Sequence, residues 1–137
     1  MAPVIIDNLQ KFGLEFQSKT ILGLMSDKSF LERIVDIIET KFFENEAHRW
    51  IVQEIIQYFL EYKHPPTILS FQVRVEAVEN SDFAHSIKTE LAAIKRNLTA
   101  PNTDLPFIKE QFLEFCKNQK LKSAILESVD HLQSGEY

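Results

Sequence analysis

Residues 105–132 read LPFIKEQFLEFCKNQKLKSAILESVDHL, and the fold turns on how this one stretch distributes its apolar side chains. At ~100° per residue, Leu105, Ile108, Phe112, Phe115 and Cys116 share one face of a helix. Leu121, Ile125, Val129 and Leu132 share another face, rotated by ~135° from the first. A helix packed on a single core keeps a single stripe. The first half is therefore expected to cover the body of the protein, with Asp104 as its cap, while the second half faces something else. The alternative is a break at Asn118 that folds the tail back onto the same core.

Working back from this stretch, the chain reads as a succession of amphipathic helices with short polar joints. Residues 8–16 predict a short helix with Leu9, Phe12 and Phe16 on one side, and Ser18 offers a cap for Thr20 to Met25. Phe30, Ile34, Ile37 and Ile38 recur at helical spacing. The strongest pattern runs from Glu44 to Tyr62, where Ile51, Ile55, Tyr58, Phe59 and Tyr62 form one wide stripe. His64-Pro65-Pro66 must end that helix, because proline removes a donor and disfavours helix in the residue before it. Thr67 to Val78 carries two periods at once. Leu69, Phe71, Val73 and Val75 alternate with polar residues as in a strand, whereas Ile68, Phe71, Val75 and Val78 make a helical stripe behind a Thr67 cap. No second segment alternates, and a lone strand has no partner for its hydrogen bonds, so helix is the expectation. Phe83, Ile87, Leu91, Ile94 and Leu98 mark one more helix before Thr99-Ala100-Pro101-Asn102. The predicted class is all-α, about six helices, with residues 1–104 as a globular part and 105–137 as a long terminal helix.

Composition sets limits on function. The chain has 137 residues, 45% apolar and 26% charged, with 11 Phe, enough for one domain with an aromatic-rich core. The net charge is −5, and neither half is basic: residues 1–66 carry 7 basic and 10 acidic side chains, residues 67–137 carry 8 and 10. Such a balance argues against a tight electrostatic grip on nucleic acid. Only Gly13, Gly23 and Gly135 are glycines, so neither the GxGxxG dinucleotide fingerprint nor a GxxxxGK[ST] phosphate loop can be written in this sequence. No apolar run approaches the ~20 residues of a membrane span, and the Met1-Ala2-Pro3 start lacks a secretory leader pattern. A cytoplasmic location is the expectation.

Candidate chemistry is sparse. Glu44 and His48 stand four apart on a helix, but a metal site needs at least three ligands and no HExxH or CxxC accompanies them. Cys116 on an apolar face reads as a small core residue rather than a nucleophile. Trp50 reads as core. Asn97-Leu98-Thr99 satisfies the glycosylation sequon, which matters only in a secreted chain. Lys117, Lys120 and Lys122 form the one local basic cluster, which reads as a solvated helix face or a contact for an acidic partner.

The order of segments does resemble a family. Thr20-Ile21-Leu22-Gly23-Leu24, then Asp27 and Phe30, then Phe43-Glu44-Asn45-Glu46-Ala47-His48-Arg49-Trp50-Ile51, is similar to the N-terminal domain of DnaB-type hexameric replicative helicases. Pro66-Thr67 followed by an amphipathic segment, and Phe115-Cys116-Lys117-Asn118-Gln119-Lys120-Leu121, resemble its phage members in particular. The likeness spans about Ser18 to Ser134. It departs at Lys63-His64 and at Asn80-Ser81-Asp82, where the family often carries glycine.

The resemblance implies a non-catalytic collar domain active in DNA replication. Its parent would be an ATP-dependent helicase whose RecA-like motor, with ATP and Mg, lies outside this sequence. It implies pairing of copies through helical hairpins into dimers and a trimer of dimers, and docking of primase or a helicase loader, with weak or indirect DNA contact. On that reading the chain works in the cytoplasm of a bacterium or phage-infected host. The second half of the last helix would be the first arm of the hairpin, and the second arm would begin near Gly135. Leu121, Ile125, Val129 and Leu132, flanked by Lys117 and Lys120, are the expected self-association or partner-binding residues. Three other readings remain open: a free-standing helical adaptor using the same strip, a small hydrolase around Glu44 and His48, and a single-strand-binding accessory protein using Lys117 and its neighbours.

Overall fold

The computed structural model describes residues 9–101 and 103–134. Within them it holds six α-helices and no strand: α1 (Leu14–Ser26), α2 (Lys28–Ile34), α3 (Glu46–Tyr62), α4 (Ile68–Val75), α5 (Ser81–Leu98) and α6 (Leu105–Ser134). Short 3-10 turns at Gln10–Phe12 and Thr40–Phe42 complete it. No helix among the described residues is long and apolar enough to cross a membrane.

Side-chain caps set most of the boundaries. Asp27 alone separates α1 from α2, and its Oδ1 accepts from Phe30 N at 3.1 Å. Asn45 accepts from Ala47 N and His48 N, so α3 begins at Glu46 rather than Glu44. It ends where Lys63 turns into the left-handed region at φ 66°, ahead of His64 and Pro65. Thr67 and Ser70 close a reciprocal capping box on α4, and Asn80 caps α5 through Phe83 N.

The N-terminal expectation needs correction. Within the described residues, 9–16 and 20–25 do not form two helices with Ser18 as a cap; α1 runs unbroken through Ser18. The chain breaks at Gly13 instead, where φ of 84° suits a residue without Cβ. Serine costs a helix interior only a few tenths of a kcal/mol relative to better formers, too little to end α1.

The core lies among α1, α2, α3 and α5, capped by the first half of α6. Ile21 and Leu24 of α1, Leu31 and Ile34 of α2, Ile51, Val52 and Ile55 of α3, and Ile87 and Ile94 of α5 are fully buried. Tyr62, expected on the inward stripe of α3, is instead exposed, because the stripe ends at Phe59. Trp50 is partly buried against the core, its ring 6.4 Å from that of Phe71.

Three contacts dock α6 on α1. Lys19 Nζ donates to both carboxylate oxygens of Asp104 at 3.0 and 2.9 Å, and Lys109 Nζ donates to Asp27 Oδ2 at 2.8 Å. These cations hold both carboxyl groups below the usual range. Between them the Lys109 stem lies over Gly23, where an added Cβ would sit 3.0 Å from Lys109 Cγ and 3.2 Å from Cδ. Gly23→Val is therefore expected to push α6 off α1 and lower stability by about 1–3 kcal/mol. Urea denaturation read by circular dichroism checks this; an unchanged midpoint refutes it.

Candidate functional site: the outer half of the last helix

The 30 residues of α6 form one continuous helix, roughly 45 Å long at ~1.5 Å per residue. There is no break at Asn118, so the tail does not fold back. Two environments follow one another along this rod. Ile108, Phe112, Leu113, Phe115 and Cys116 are buried, and Leu105 is half-buried.

Aromatic contacts anchor that inner half. The Phe115 ring meets Phe42 edge-on at 5.1 Å and Phe12 at 6.1 Å. Phe112 meets Phe43 at 5.8 Å and Phe30 at 6.4 Å. Cys116 is fully buried, and its thiol pKa is pushed up first by desolvation and then by the negative charge of Glu39. A thiol so held is protonated and inert, as a core residue should be.

From Leu121 onward most side chains of the helix are exposed. Leu121 is 60% exposed, Ile125 55%, Val129 41% and Leu132 62%. Lys117 and Lys120 are exposed beside them, while Lys122 is half-buried over a shallow hollow of about 180 Å³ that also involves Glu39, Phe42 and Leu126. The structure thus places the four apolar candidates along one outer stretch with the two lysines at its base. Leu126, 56% exposed, continues the inner stripe instead, in phase with Ile108 and Phe112 and beside Glu39 and Phe42. Gly135, where a second arm was expected, lies outside the described residues.

The residues considered for catalysis go separate ways. Glu44 Oε1 accepts from Gln17 Nε2 at 2.7 Å. His48, 2% exposed, places Nε2 2.9 Å from Glu90 Oε2. An Nε2–H tautomer donates there and leaves the buried, unpartnered Nδ1 as an acceptor. The two side chains therefore serve separate packing contacts rather than one ligand set. Among the described residues no group of three His, Cys, Asp or Glu is placed to hold a metal ion.

The outer half of α6 can offer a recognition surface. A row of large aliphatic side chains on a solvated rod loses water favourably only against another apolar surface. No protein-family model, no curated protein and no solved structure matches the chain.

Proposed function

We propose that the chain is a non-catalytic assembly domain that joins copies of itself through the outer half of α6, in the manner of the collar of a DnaB-type replicative helicase. The observation that carries the reading is the change of environment along one unbroken helix. Its inner half is locked into the core by Phe112 and Phe115, and its outer half presents Leu121, Ile125, Val129 and Leu132 to solvent. The order of motifs from Thr20 to Leu121 supports the collar assignment. In that role the domain hydrolyses nothing; it holds protomers together and leaves surfaces for primase or a loader.

Sedimentation velocity across a wide concentration range tests the reading. The chain is expected to associate reversibly into dimers or small multiples of dimers. Leu121→Asp and Ile125→Asp each place a charge where an apolar surface should close, so each is expected to weaken association by at least about tenfold, or ~1.4 kcal/mol. Both residues are exposed, so the monomer fold should survive, as circular dichroism would report. A strict monomer at every concentration, or variants that associate as well as the parent, overturns the proposal.

A further inference from the structure

A second apolar surface lies away from α6. Phe71 and Val75 of α4 are buried against the body, yet Leu69 and Val73 on its other side are 68% and 64% exposed. A surface helix ordinarily keeps one apolar stripe, and this one has two. Beside the outward stripe, Tyr58 and Tyr62 of α3 meet with ring centroids 4.5 Å apart and planes inclined at 46°. A groove of about 410 Å³ runs between α3 and α4 over these side chains, with Pro66 and Thr67 at the connection.

Its charges are not balanced. Glu54 and Arg74 satisfy one another at 3.1 Å. Glu61, two turns along α3, is exposed and has no partner among the described residues. The groove therefore combines an apolar floor, a neutralised pair and one uncompensated carboxylate. Its walls are two helices, and the eight residues of α4 give it a length of roughly 12 Å. That matches two turns of an incoming helix, whose anchors recur at positions i, i+4 and i+7.

We propose that the α3–α4 groove binds a basic amphipathic helix of a partner protein, with apolar anchors over Leu69, Val73 and the Tyr58–Tyr62 pair and a Lys or Arg against Glu61. The groove shares no residue with α6, so the inference is independent of the assembly role proposed above.

Fluorescence anisotropy with the full chain tests it. The probe is a fluorescein-labelled helical peptide of about 15 residues with leucine at i, i+4 and i+7 and two flanking lysines; a twin carries glutamate in place of lysine. The lysine peptide is expected to bind saturably and about tenfold more tightly than its twin. Leu69→Ser combined with Val73→Ser should weaken it by about tenfold or more, and Glu61→Lys should reverse the preference between the twins. Leu121→Asp should leave peptide binding unchanged. Absence of saturable binding, equal affinity for both peptides, or retained preference in Glu61→Lys overturns the proposal. So does a loss of self-association in the Leu69→Ser, Val73→Ser chain, which would make a second copy the occupant. Should that double variant unfold, Glu61→Lys alone, an exposed substitution, decides the matter.

Discussion

Phe112→Ala is expected to cost about 3–5 kcal/mol of folding stability, a large share of the ~5–15 kcal/mol that holds a domain of this size together. The ring is fully buried and lies between Phe43 and Phe30, at 5.8 and 6.4 Å. Its removal deletes apolar burial and two aromatic contacts, and it leaves a void that three different elements must collapse to fill. The loss reaches the outer half of α6, because the inner half is what aims it. Thermal melting should fall by roughly 10 °C or more. Association through Leu121 and Ile125 should weaken in the same variant well below its melting temperature. Phe107→Ala, on the same helix but 62% exposed, is the control and should change the melting temperature little. A Phe112→Ala chain that melts like the parent would show that α6 is not docked through this ring.

Gln17→Leu carries the second large effect, expected at about 1–3 kcal/mol. Gln17 is fully buried in α1, and its amide joins three distant pieces of chain. Nε2 donates to Leu9 O at 3.3 Å and to Glu44 Oε1 at 2.7 Å, and Oε1 accepts from Glu44 N at 3.0 Å. Leucine fills similar space but supplies neither donor nor acceptor. The Glu44 amide then loses its acceptor, and the segment that leads Asn45 into its cap on α3 loses its tie to α1. Urea denaturation gives the stability change. Amide exchange at Glu44 should accelerate more than exchange in the middle of α5. Equal protection at Glu44 in both chains would refute the assigned hydrogen bond.

Helical periodicity carried most of the architecture because each long segment buries one stripe, and a stripe is visible as spacing. Ile87, Leu91 and Ile94 of α5, and Ile51 and Ile55 of α3, show it plainly. The reading of 8–25 failed because a local cap pattern at Ser18 looked like a helix start, whereas continuous hydrogen bonding through α1 outweighs a residue of slightly poor propensity. Tyr62 failed for another reason. It sits in phase with Ile55 and Phe59, but no neighbouring element extends far enough to cover it.

The double period of residues 67–78 is the more informative case. Residues two apart on a helix stand ~200° apart, so the alternation of Leu69, Phe71, Val73 and Val75 describes a helix apolar on two opposite sides as readily as a strand. Sequence held the pattern, and the fold assigned the sides: Phe71 and Val75 inward, Leu69 and Val73 outward.

By itself, then, the sequence determined the all-helical class, the cap at Thr67, the stop at Pro65 and the change of face within 105–132. All of these depend on residues within a turn or two of one another. Only the tertiary structure decided that α6 continues unbroken past Asn118, that Gln17 ties Leu9 to Glu44, that Glu44 and His48 part company, and that a largely apolar groove opens between α3 and α4. The last three depend on side chains far apart in sequence, whose meeting is set by how the helices pack and leaves no spacing along the chain to read.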